Sequence, residues 1–116
     1  MRPAATVLVL AALAGCGGDE PRAPEEVARA YVASDDPAKC DDADLAFLER
    51  QSKRKGDAAR QACRRSVEST SPPKDVRVRS QKVRGDRAEV VLEASGQRLR
   101  VTLRRSGDAW RVTGLG

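Results

Sequence analysis

The stretch GDRAEVVLEASGQRLRVTLRRSGDAWRV, residues 85–112, carries the reading of the fold, because apolar and polar residues alternate along nearly all of it. If Ser95-Gly96 is a two-residue hairpin loop, Leu92 faces Leu99, Val90 faces Val101 and Ala88 faces Leu103. Glu93 then opposes Arg98 on the other face, so both faces agree with one register. With Ser106-Gly107 as the next turn, Leu103 pairs with Trp110 and Val101 with Val112. One apolar face runs across three antiparallel strands, and Arg77, Arg79, Arg98, Arg100, Arg104 and Arg111 populate the outer face.

Upstream, the segment Asp75 to Val83 places Val76 and Val78 on one face and Val83 on the opposite parity. Either a bulge near Ser80 to Lys82 or a three-residue turn at Arg84-Gly85-Asp86 reconciles them. Before Pro72-Pro73 the period is helical. A first helix over Pro24 to Ser34 opens on Pro24, Glu25 and Glu26, residues suited to the positive end of a helix dipole, and groups Val27, Ala30 and Tyr31. A second is predicted from about Asp42 to Gln51, with Leu45 and Leu48 inward, and a third after Gly56-Asp57 aligns Ala59, Ala62, Cys63 and Val67. Helices first and a meander second predict an α+β layer fold with the apolar sheet face covered.

At the amino terminus Arg2 precedes an apolar run, Ala4 to Ala14, too short for the roughly 20 residues that a membrane span requires. The run reads as a signal peptide over residues 1–15. Leu13-Ala14-Gly15-Cys16 resembles the lipobox of bacterial lipoproteins, which implies cleavage before Cys16 and lipidation of its thiol. Residues 16–24 then form a lipidated cysteine with a Gly- and Pro-containing tether, and residues 25–116 a single domain on the extracytoplasmic face of the cell membrane. Cys40 and Cys63 are left as an even pair in an oxidising compartment and are expected to form a disulfide.

The 116-residue chain has no histidine, which removes the commonest general base and the usual zinc ligand. No metal or cofactor is expected. The formal net charge is +5, unevenly spread: Asp19 to Glu49 holds ten acidic against three basic side chains, Arg50 to Gly116 seven against eighteen. In an exported chain this basic portion points to anionic lipid or cell-wall polymer rather than nucleic acid, or to a solvated face.

The helix Glu-Glu-Val-Ala-Arg-Ala-Tyr-Val, the cysteine pair, Arg84 to Val90 and Gly107 to Val112 together resemble the small nuclear transport factor 2-like lipoproteins of high-GC Gram-positive bacteria. The resemblance implies a cone, with helices packed on the concave face of a curved antiparallel sheet. It also implies a pocket lined by Tyr31, Phe47, Leu92, Leu103 and Trp110, unless these five are simply the core. The function expected first is noncatalytic binding of a small apolar ligand or an envelope partner protein. Association of the basic sheet face with an anionic surface is the second reading, and an isomerase or cyclase the third. Glu89 and Glu93 have outward parity, leaving Asp44 and Glu68 as the carboxylates to inspect for an interior base.

Overall fold

The computed structural model describes residues 22–116. The signal-peptide and Cys16 expectations lie outside the described residues. Helix α1, Pro24–Ala33, starts where Pro24 needs no N–H partner and where Glu26 accepts from the Ala23 N–H at 2.8 Å. A 3-10 turn, Pro37–Asp42, follows, capped by the Asp36 carboxylate on the Ala38 N–H at 2.9 Å. Helix α2 spans Leu45–Ser52 and α3 Asp57–Ser69. Four strands follow: β1 Arg77–Arg84, β2 Arg87–Ala94, β3 Gln97–Ser106 and β4 Ala109–Leu115. They pair antiparallel in chain order, an α+β fold with a four-stranded sheet.

The helix expected from about Asp42 to Gln51 is α2, which starts three residues later than expected, at Leu45. Ala43 and Asp44 are pulled into extended backbone by a parallel bridge between Ala43 and Val112 and by the Asp44 N–H donating to the Val112 carbonyl at 2.8 Å. The Asp44 carboxylate then caps α2 through the Ala46 N–H at 3.2 Å. Asp44 is thus a helix cap, and Glu68 lies exposed on α3.

The register between β2 and β3 is the expected one, with Leu92 opposite Leu99, Val90 opposite Val101 and Ala88 opposite Leu103. Between β3 and β4 it differs by two residues. The turn is Gly107-Asp108, so Leu103 pairs with Val112 and Trp110 stands opposite Arg105. The cause is the glycine: Gly107, with φ +62°, takes the first central position of the turn, as Gly85, with φ +59°, does in Gly85-Asp86. Arg79 is the extra residue of a bulge in β1, which resolves the parity of Val83 while leaving Gly85-Asp86 a two-residue turn.

One sheet face is the core: Ala88, Val90, Leu92 and Ala94 of β2 are buried, as are Val101 and Leu103 of β3 and Trp110 and Val112 of β4. Val27, Ala28, Tyr31 and Val32 of α1 close over it, and α1 touches all four strands. Phe47 and Leu48 of α2 complete the cluster. Helix α3 forms an outer tier. It packs on α2 and the 3-10 turn, buries only Ala59, and is joined to the turn by the Cys40–Cys63 disulfide.

Candidate functional site

Strand periodicity assigns every second residue to the outer face, and the observed register adds an arrangement across the strands. Arg84 pairs with Arg87, Arg87 with Arg104 and Arg104 with Arg111. Four arginines therefore form one row perpendicular to the strands, one from each. Directly opposed like charges destabilise a sheet, so the row is a cost to folding that nothing in the core requires. One step along, Lys82 faces Glu89 and Glu89 faces Thr102. Thr113, displaced by a bulge between β3 and β4, sets its Oγ1 3.2 Å from the Thr102 carbonyl.

These side chains surround a depression of about 580 Å³, with Lys82, Arg84, Arg87 and Arg104 as its cations, Glu89 as its acid and the two threonines on its floor. The neighbouring carboxylates neutralise part of the face: Asp86 lies 3.8 Å from the Arg104 guanidinium and Glu89 3.4 Å from that of Arg100. Among the described residues no carboxylate oxygen comes within 4 Å of Lys82, Arg84 or Arg87. Arg111, at the end of the row, donates to the Asp41 carbonyl. The depression can thus accept oxyanions through exposed cations and hydroxyls gathered on one face.

Of the arginines expected on this face, Arg77, Arg98, Arg100, Arg104 and Arg111 have outer register, and Arg79 reaches Glu93 on it at 3.9 Å. The sequence reading left out Lys82, Arg84 and Arg87. Treating the two Gly-Asp dipeptides as equivalent turns would have found them, because only that register brings Arg84, Arg87, Arg104 and Arg111 into line. Tyr31, Phe47, Leu92, Leu103 and Trp110 are buried together in the core, with Tyr31 and Phe47 edge to face at 6.3 Å between centroids.

A solved structure similar to this chain is that of a SEC-C motif containing protein from Rhodopseudomonas palustris, at 20% identity, covering 80% of this chain and 77% of that one with a TM-score of 0.53. At that identity the likeness concerns the fold alone. No family model matches the chain, and no curated protein does. The resemblance to nuclear transport factor 2-like lipoproteins is therefore corrected: its motifs are a helix opening, a cysteine pair and two Gly-Asp turns, and the fold that they accompany is similar to that of the SEC-C motif containing protein.

Proposed function

We propose that this chain is an envelope lipoprotein, anchored through Cys16, that lays the outer face of its sheet on the anionic headgroups of the membrane holding it. The observation that carries this reading is the row Arg84, Arg87, Arg104 and Arg111. A like-charged row that weakens the sheet is accounted for if an anionic surface neutralises it, each basic group near such a surface contributing up to about 1 kcal/mol.

The exit of the tether supports the same orientation. Arg22, the first described residue, donates to the Asp42 carboxylate at 2.6 Å, and the carbonyl of the adjacent Asp41 accepts from Arg111 of the row. The tether therefore leaves the body beside one end of the row. A lipid chain and a basic patch act together as two membrane signals, the first supplying the second with a high local concentration of headgroups.

The test is co-sedimentation of the mature chain, residues 16–116 with Cys16→Ser, with vesicles. Phosphatidylglycerol-containing vesicles are expected to bind it, with strong loss at high salt, and pure phosphatidylcholine far less. The triple variant Arg84→Thr, Arg87→Thr, Arg104→Thr should lose about a hundredfold in affinity for the anionic vesicles. Equal binding to both vesicle types, or binding indifferent to salt, rejects the reading.

A further inference from the structure

Because α3 packs on α2 and the 3-10 turn rather than on the sheet, a groove of about 290 Å³ remains between α3, the end of α1 and the end of the sheet far from the arginine row. Its apolar walls include Val67, Pro72, Leu99 and Leu115. Tyr31, Ser34 and Lys39 share the wall nearest α1, and the Ser34 hydroxyl already accepts from the Asp36 N–H at 3.0 Å. Tyr31 is 7% exposed and lines the groove, and among the described residues its hydroxyl makes no hydrogen bond. A buried tyrosine hydroxyl ordinarily has a partner. Beside it the Lys39 ammonium sits 5.6 Å from the Tyr31 ring centroid and donates to the Ser34 carbonyl at 2.8 Å. That leaves donors of Lys39 unused, with no carboxylate oxygen within 4 Å among the described residues.

We propose that this groove binds a small amphiphilic carboxylate, whose head accepts from the Tyr31 hydroxyl and the Lys39 ammonium and whose apolar body lies along Val67, Pro72, Leu99 and Leu115. The chemistry is specific in both parts. A half-buried cation beside a buried hydroxyl selects an anion over an alcohol, and the apolar walls select a tailed anion over a bare one. The site shares no residue with the arginine face and stands or falls separately from it.

The experiment titrates sodium octanoate into the mature chain, residues 16–116 with Cys16→Ser and the Cys40–Cys63 disulfide intact, following amide shifts by NMR, with octanol and acetate as parallel probes. Octanoate is expected to saturate shifts at Tyr31, Val67 and Leu115 and to bind at least about tenfold tighter than either control. Tyr31→Phe should fold with unchanged or higher stability and weaken octanoate about tenfold, and Lys39→Met should erase the preference for octanoate over octanol. Octanol binding as well as octanoate, absence of saturable shifts in the groove, or a marked stability loss in Tyr31→Phe each overturns the proposal. The last would mean that the hydroxyl already has a partner within the protein. Should Lys39→Met fail to fold, the three probes on the unaltered chain still decide the question.

Discussion

Gly114 stands opposite Thr102 where β3 and β4 bulge, and a Cβ built on Gly114 would fall on the Thr102 hydroxyl oxygen. Gly114→Ala should therefore cost about 1–3 kcal/mol in urea denaturation, and Thr102→Ala added to it should restore most of the loss. Leu92 is fully buried, and Leu92→Ala should cost about 3 kcal/mol by the same measurement. Tyr31 links burial to pH. Desolvation holds its phenol pKa above 10.0, so above that pH the unfolded chain ionises first and unfolding gains. The stability that Tyr31 contributes is thus present below pH 10.0 and lost as pH rises towards the folded value. Lys39 has the opposite sign: burial lowers its pKa, against Asp35, so its charged form opposes folding and stability rises as the folded state releases that proton. Denaturation curves across the alkaline range should show a shallower loss in Tyr31→Phe than in the parent.

Among the elements, α3 is the least supported, since its contacts are with α2 and the 3-10 turn and most of its surface is polar and exposed. Its covalent link spans 23 residues, a loop whose closure is worth about 3 kcal/mol in the chain-entropy model. Cys63→Ser should lower global stability by about that amount. Hydrogen exchange should report the change first as faster exchange over residues 57–69, with the central strands β2 and β3 last to open. The extents of α1 and α3 and the pairing of β2 with β3 were readable in the sequence, because helix caps, prolines and the Ser95-Gly96 turn all act locally. The late start of the second helix was not, because what extends Ala43 and Asp44 is the hydrogen bond that the Asp44 N–H donates to the Val112 carbonyl, nearly 70 positions away. The arginine row was hidden for a related reason. The expected pairing of β2 with β3 already sets Arg87 opposite Arg104, but a two-residue error in the last turn places Arg111 opposite Thr102, so the row of four is complete only in the observed register.

Taken whole, the molecule separates an aliphatic core under α1 from a cationic face on the other side of the sheet. That separation predicts a trade between stability and surface binding. Arg87→Thr, which relieves repulsion from both Arg84 and Arg104, should raise stability by about 0.5 kcal/mol at low ionic strength while weakening vesicle binding, and added salt should shrink both effects. Thermal melts and vesicle sedimentation on the same variant check it. The two margins of the sheet are treated differently. Along β4, Ala43 and Asp44 supply backbone partners and Arg50 donates to the Thr113 carbonyl, so the chain closes that margin with its own segment. Along β1, the bulge at Arg79 breaks the run of donors and acceptors, and Arg77, Lys82 and Arg84 would meet their own copies if two molecules tried to pair there. Concentrated solutions of the chain should therefore stay dispersed, each molecule repelling the approach of another's unpaired strand, and resist fibril growth from the sheet margin.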